Sequence, residues 1–184
     1  MREIEIKLRV ADPKALEEKL KERGCVLSEP IHQHDTNYAL RGSSNEFESA
    51  KEGDIIIRIR RQDGGTELNL KQQRSSESDN TEYESEIENP DAVHQMLLLL
   101  NWYPAIEVRK IRRKGKLGDY EICLDQVEEL GNFMELEKLA PDDADPEKVR
   151  EELFGVLDSL GLSRKDEEIR GYDTQIYQLH KKGK

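Results

Sequence analysis

The first eight residues alternate between charged and apolar side chains. In Glu3-Ile4-Glu5-Ile6-Lys7-Leu8 a period of two puts Glu3, Glu5 and Lys7 on one face and Ile4, Ile6 and Leu8 on the other. The pattern predicts a strand and returns further along. Ile55-Ile56-Ile57-Arg58-Ile59-Arg60 is a strand by its β-branched content, turned at Asp63-Gly64-Gly65 into a return strand over Glu67 to Lys71. Thr81 to Glu88, Ile106 to Arg113, Asp119 to Asp125 and Phe133 to Lys138 read as further strands, the middle pair as a hairpin around Lys114-Gly115-Lys116. Val26 to Leu40 reads as extended, Gly42 to Glu52 as a loop, and Gln72 to Asn80 as a mobile polar loop.

Helices announce themselves by their starts. Asp12-Pro13, Asn89-Pro90 and Asp145-Pro146 each pair a capping side chain with a proline suited to the first helical position. The first helix carries an apolar stripe of Ala15, Leu16 and Leu20 and closes at Gly24. The second carries Val93, Met96, Leu97 and Leu100 and closes at Asn101. The third carries Val149, Leu153, Val156, Leu157 and Leu160 and closes at Gly161. Asp166 to His180 is expected to form a last helix with Tyr172, Ile176 and Leu179, and residues 181–184 to fray. Each Pro-started helix follows a Glu-x-Glu strand (Glu3/Glu5, Glu84/Glu86, Glu135/Glu137), a recurrence that points to related structural units.

Composition narrows the function classes. The 184 residues fit one domain, placed at residues 1–180, and the charged fraction of 38% exceeds the hydrophobic 35%, so the core is economical. A net charge of −11 argues against nucleic-acid partners and anionic membranes, while leaving room for an anion in a local basic cavity. Cys25 and Cys123 are too few for a disulfide framework and read as reduced thiols of a cytoplasmic protein. The chain starts directly in a charged strand without a signal peptide, and Met96 to Leu100 is far short of the ~20 residues of a membrane span.

The charged faces have both signs. Opposite their apolar faces stand Glu3, Glu5 and Lys7; Arg58 and Arg60; Lys71; Glu84 and Glu86; Glu121 and Asp125; and Glu135 and Glu137. In Ile106 to Arg113 alternation does not choose between Lys110/Arg112 and Arg109/Arg113. Two arrangements satisfy this pattern: a sheet with solvated charged faces, or a closed barrel with a polar lumen and helices over its apolar outside. In the second, Lys7, Arg58, Arg60, Lys71, Lys110 and Arg112 surround a highly anionic ligand. The carboxylates would repel that ligand unless hard divalent cations sat between, so a lumen of both signs suits metal–polyphosphate. His32-x-His34 lacks zinc-site company and reads as structural; Cys123, Trp102 and Tyr103 read as packing residues.

The ordered motifs carry a resemblance. Glu3-x-Glu5-x-Lys7 resembles the ExExK signature of the CYTH superfamily, the triphosphate tunnel metalloenzymes. It is followed in order by Asp35-Thr36-Asn37-Tyr38, Ile57-Arg58-Ile59-Arg60, Leu70-Lys71, Glu84-x-Glu86, Val108 to Arg112, Leu124-Asp125-x-Val127, Leu130-Gly131-x-Phe133 and Glu135-x-Glu137. The chain looks most like the prokaryotic class IV adenylate cyclases. The resemblance implies an α+β fold, an eight-stranded antiparallel β-barrel or tunnel with a charged lumen and helices outside, which favours Lys110 and Arg112 as the inward pair. It implies triphosphate binding by Lys7, Arg58, Arg60, Lys71, Lys110 and Arg112, and Mg2+ or Mn2+ held by Glu3, Glu5, Glu135 and Glu137. Catalysis would draw on Asp125, Lys7 and Glu5. The substrate would be ATP, thiamine triphosphate or tripolyphosphate, handled by a monomer or homodimer; a non-catalytic nucleotide-binding module is the rival reading. Two positions depart from the family pattern: Glu82 stands where an arginine is common, and Arg170-Gly171-Tyr172 lacks the serine of a Ser-Tyr pair.

Overall fold

A computed structural model describes residues 2–42, 51–76 and 78–182. Eight strands, β1 (Arg2–Arg9), β2 (Ile31–Leu40), β3 (Ile55–Gln62), β4 (Gly65–Ser76), β5 (Asp79–Glu86), β6 (Trp102–Leu117), β7 (Tyr120–Val127) and β8 (Gly131–Ala140), close into one antiparallel barrel. The order around it is β1-β5-β4-β3-β2-β6-β7-β8. Four helices accompany it: α1 (Pro13–Glu22), α2 (Pro90–Leu99), α3 (Pro146–Ser159) and α4 (Tyr172–Lys182).

The helix starts follow the capping chemistry. Asp12, Asn89 and Asp145 accept from the backbone N–H groups of Ala15 (3.0 Å), Ala92 (3.0 Å) and Glu147 (3.1 Å), each with proline next in the chain. Asn101, after α2, adopts the left-handed conformation expected of a closer, at φ 65°.

The apolar faces point out of the barrel. Ile4, Ile6 and Leu8 of β1, Ile122 and Leu124 of β7, and Met134 and Leu136 of β8 pack with Leu16 and Leu20 of α1 and Val149, Leu153 and Leu157 of α3. Fully burying a side chain of this kind stabilises the fold by about 1.5–3 kcal/mol. Leu97 of α2 covers Tyr38 and Ile59 on the outside, whereas Tyr172 and Ile176 of α4 pack on Val108, Val127 and Phe133, which share the lumen faces of Lys110, Asp125 and Glu135. The open choice between solvated sheet and barrel is therefore settled: charges line the lumen, α1, α2 and α3 cover the outside, and the start of α4 enters the lumen wall.

The barrel closes through a short seam. β1 pairs with β8 from Arg2 to Arg9, whereas among the described residues its pairing with β5 has Glu3 opposite Asn80 and Ile4 opposite Asp79, extended by the Glu5 N–H donating to the Ser78 carbonyl at 3.0 Å. Arg2 clamps this seam with a buried ion pair to Asp79, whose carboxylate also accepts from the Ser75 backbone N–H at 3.1 Å.

Several elements differ from expectation. Gln72 to Asn80 is mostly strand, because β4 runs to Ser76 and β5 begins at Asp79: polar composition hid the backbone pairing between β4 and β5. Lys114-Gly115-Lys116 lies inside β6, and the turn falls at Gly118-Asp119. There Gly115 is required because a Cβ would meet Cys25 Sγ at 2.7 Å. On α2 the expected stripe is only partly used: Val93 and Leu97 meet the barrel, but Met96 and Leu100 lie off that line and are exposed. Ala15 of α1 and Leu179 of α4 are likewise exposed. Lys181 and Lys182 continue α4, whereas residues 183–184 and most of the loop expected over Gly42 to Glu52 lie outside the described residues.

Candidate functional site

Alternation along the closed strands brings the six candidate bases and Glu3, Glu5, Glu135 and Glu137 into one cavity of about 1220 Å³. β1 contributes Glu3, Glu5 and Lys7; β3 Arg58 and Arg60; β4 Lys71; β6 Lys110 and Arg112; β8 Glu135 and Glu137. Asp125 of β7 is buried beneath this lining and joined to it through Lys110 and Arg112. Register sets the neighbours: Glu5 faces Glu137, Lys7 faces Glu135, and Arg112 faces Asp125. The undecided strand is resolved too. Lys110 and Arg112 are buried, whereas Arg109 is exposed beside Glu107 and Arg113 reaches out to Glu17 of α1 at 2.6 Å.

The carboxylates divide into two environments. Oxygens of Glu3, Glu5 and Glu137 lie within 4.8 Å of one another. Burial, aided by Glu137, Glu82 and Glu5 and opposed by Lys71, pushes Glu3 up to about 9. Burial and then Glu135 push Glu137 up to about 7, and burial with Glu135 also raises Glu5. Three crowded carboxylates that resist ionisation are what an oxygen-ligated dication relieves. Glu135 behaves otherwise. Burial opposes its charge, but Arg112, Lys110, Lys7 and Lys71 outweigh it and hold the carboxyl well below its usual range; Arg112 is its direct partner. Among the described residues, Glu3, Glu5 and Glu137 form one group that could hold a metal ion, Glu121, Cys123 and Glu137 form a second that shares Glu137, and Glu135 is paired with Arg112.

The bases are held by dedicated partners. Asp35 takes Arg60 in a two-bond fork, Nε and Nη2 both at 2.8 Å, and Arg58 Nη1 at 3.5 Å. Asp125 takes Arg112 in a second fork at 2.7 and 2.5 Å, plus Lys110 Nζ at 3.3 Å. Burial opposes both aspartates' charge and these cations outweigh it, so both carboxyls stay below their ordinary range. Burial, then Arg112, brings Lys110 down to about 8. Lys71 is paired to Glu82 and lies 3.8 Å from Glu3; against the cost of burial, these carboxylates raise its pKa strongly.

Sequence reasoning missed some of this apparatus. Asp35 was visible as part of a motif, and alternation puts it on a face with Gln33 and Asn37, but nothing in one strand reveals that it forks Arg60 of the next. Asn69 accepts from Arg58 Nε at 3.2 Å and donates to Glu84 at 2.8 Å, linking two strands. Tyr172, Asp173 and Thr174 of α4 line the cavity as well, and no periodic signal marks a helix start as tunnel wall. His32 and His34 pair with Asp63 and Glu107 and are not part of the lining, in keeping with a structural reading.

Fold and lining together define a β-tunnel with a charged lumen, built from bases that two buried aspartates hold in place and from a carboxylate cluster. The CYTH domain model matches residues 1–172, and the chain belongs to the CYTH family, whose members are triphosphate tunnel enzymes. A protein of Methanocaldococcus jannaschii, provisionally named as the adenylate cyclase MJ0240, is 34% identical over 172 residues, covering 92% of this chain and 95% of its own. Among solved structures, PH1819 of Pyrococcus horikoshii OT3 aligns with a TM-score of 0.81 at 26% identity, over 96% of this chain and 99% of its own. An adenylyl cyclase homologue from Hippeastrum shares the fold with a TM-score of 0.61 at 19% identity, over 100% of this chain and 96% of its own. No helix among the described residues is long and apolar enough to cross a membrane.

Proposed function

We propose that the protein is a divalent-cation-dependent enzyme acting on a triphosphate in the tunnel, as a class IV adenylate cyclase-like enzyme that converts ATP to cyclic AMP and pyrophosphate. The observation that carries the reading is the convergence of Lys7, Arg58, Arg60, Lys71, Lys110 and Arg112 on one cavity beside the Glu3/Glu5/Glu137 cluster. The name of the Methanocaldococcus relative supports the cyclase reading. The Hippeastrum protein is described as having a dominant triphosphatase activity; it shares only the fold, so hydrolysis of a triphosphate is the second reading.

In this reading Glu3, Glu5 and Glu137 would hold Mg2+ or Mn2+, with Glu135 joining them where it exchanges Arg112 for the ion. When bound, such an ion neutralises phosphate charge and positions the attacking oxygen. Arg58, Arg60 and Arg112 present the guanidinium N–H groups that their carboxylate partners leave over, and Lys7, Lys71 and Lys110 point charges, to the phosphate oxygens. Asp125 contributes by holding Arg112 and Lys110: its oxygens already accept from these donors, and its carboxyl stays ionised. For cyclisation the ribose 3′-oxygen attacks the α-phosphorus and pyrophosphate leaves; for hydrolysis water attacks the terminal phosphorus.

Incubation with ATP, thiamine triphosphate and tripolyphosphate, each with Mg2+ or Mn2+, tests this. Cyclic AMP with pyrophosphate identifies the cyclase and orthophosphate the triphosphatase. Metal-dependent binding without turnover of any of the three overturns the enzyme reading.

A further inference from the structure

Among the described residues, the barrel leaves one stretch of strand edge open. The register of Glu3 with Asn80 puts Arg2, where β1 begins, level with Thr81, and β5 runs on past it to Glu86. The ladder on the other side of β5 decides which backbone groups face that gap. The Ile87 N–H donates to the Thr66 carbonyl at 2.9 Å, so the β4–β5 register gives the bonds to β4 to Thr81, Tyr83 and Ser85. The N–H and C=O groups of Glu84 and Glu86 point the other way, on the same side as Asn80, where β1 pairs. No strand among the described residues takes them, and the Glu86 carbonyl accepts only from the hydroxyl of its neighbour Ser85, at 3.3 Å. Residues 83–86 are all exposed, Tyr83 at 68%.

An open edge is a template for another strand, and its side chains select which one. Glu82, Glu84 and Glu86 share one face of β5. Glu82 is taken by Lys71, and Glu84 accepts from Asn69 at 2.8 Å, but no cation among the described residues forms an ion pair with Glu84 or Glu86. A second copy of the chain fits this edge badly. Two β5 edges joined antiparallel about a two-fold axis would bond through the outward-pointing residues of both, so each register sets glutamate directly opposite glutamate. Two chains of net charge −11 also repel one another. A segment with Lys or Arg at every other position instead meets these glutamates, and the residues between its cations fall on the outer face with Tyr83 and Ser85.

We propose that the open edge of β5 at Glu84 and Glu86 docks an extended basic segment of another protein as an added strand, in which Lys or Arg alternates with β-branched or aromatic residues. The main-chain groups of Glu84 and Glu86 bond to the added strand, their carboxylates pair with its cations, and Tyr83 packs on the residues between. Glu84 also lines the tunnel, so the docked strand lies against the cavity wall.

Fluorescence anisotropy of the full chain with the labelled peptide Lys-Thr-Lys-Val-Lys-Thr-Lys tests this. The control peptide has the same sequence with the backbone nitrogens of its inner lysines methylated, which keeps the charge and removes the donors that face β5. The unmodified peptide is expected to bind at least about tenfold more tightly than the control. Replacing both glutamates, Glu84→Gln with Glu86→Gln, should weaken it by about fivefold or more. Glu86→Pro removes an N–H that β4 does not use and should weaken it to a similar degree, about fivefold. Hydrogen exchange on wild type, which needs no variant to fold, should show the Glu84 and Glu86 amides slowed by about tenfold or more when the peptide is added. Equal binding of the two peptides reduces the interaction to charge and overturns the added strand, as does unchanged exchange at both amides or the absence of binding. A chain that sediments as a dimer, with both amides already protected before peptide is added, gives the edge to a second copy and overturns the basic partner.

Discussion

The Tyr172 hydroxyl donates to Asp125 Oδ2 at 3.1 Å, tying the first residue of α4 to the carboxylate that forks Arg112. The ammonium groups of Lys7 and Lys110 lie 4.8 and 5.1 Å from the Tyr172 ring centre, and Phe133 meets the ring edge-on at 5.0 Å. Tyr172→Phe keeps the ring and removes one hydrogen bond to a carboxylate that retains Arg112 and Lys110. Turnover of the active triphosphate should fall by about three- to tenfold, and stability by about 1 kcal/mol. Tyr172→Leu also removes the ring from both ammonium groups and should cost more on both measures, by steady-state kinetics and urea unfolding. Equal kinetics for wild type and both variants would contradict the coupling.

Glu5→Gln and Lys7→Ala should each reduce turnover by about a hundredfold or more, with the far-ultraviolet circular dichroism of a folded barrel retained. Glu3→Gln and Glu137→Gln should raise the Mn2+ concentration needed for half-maximal turnover by about tenfold or more, since each takes one oxygen ligand from a cluster within 4.8 Å. An unchanged metal requirement in both would remove these carboxylates from the metal site.

How much of this was readable before folding depends on the reach of each signal. Strand faces were readable, because alternation is local: Glu3/Glu5/Lys7 and Arg58/Arg60 needed only their own strands. Whether those faces met water or one another was not, because closure of the barrel rests on pairings such as Glu3 with Asn80, far apart in the chain. The ordered motifs supplied that step. Partnerships within the lumen stayed hidden for the same reason. Glu135 shares its strand face with Glu137, yet Arg112 from β6 pairs with it while Glu137 lies with Glu3 and Glu5, a difference that nothing within β8 reveals. Glu82, noticed only as a departure, turns out to neutralise Lys71.

That last pair carries its own prediction. Lys71 is expected to bind phosphate, yet Glu82 occupies it and adds negative charge beside Glu3. Glu82→Gln should free the ammonium and tighten tripolyphosphate binding by about three- to tenfold, measured by calorimetry at fixed Mg2+. Weaker binding would mean that Glu82 positions Lys71 for the ligand instead of competing with it.

The seam between β1 and β5 should be a weak point when its clamp is cut. Asp79→Asn leaves Arg2 buried with a neutral partner and weakens the contacts from Ser75. Breaking one side of a buried ion pair costs about 3–5 kcal/mol, so a clear fall in the urea midpoint is expected. A variant as stable as wild type would show that the short β1–β5 pairing holds without the clamp.

Acid stability should report on Glu168. Its carboxylate accepts from Arg9 at 3.1 Å and from Arg170 at 2.7 and 2.6 Å, and its backbone N–H donates to the Lys7 carbonyl at 2.9 Å, joining the segment before α4 to β1. Burial opposes its charge, but Arg170 and Arg9 outweigh it and hold the carboxyl at about 2 against an ordinary 4.5. The folded state therefore binds this proton less readily than the unfolded chain. The stabilisation is fully present above about pH 4.5 and is lost as pH falls towards 2. At face value the shift is worth about 3 kcal/mol, but Arg9 and Arg170 are 47% and 42% exposed, so solvent screening reduces this to about 1–1.5 kcal/mol. Glu168→Gln should be less stable than wild type by that amount at pH 7, and the gap should narrow between pH 4.5 and 2. Urea unfolding across that range checks it: a gap that is independent of pH would show that Glu168 acts through packing or neutral hydrogen bonds and not through its charge.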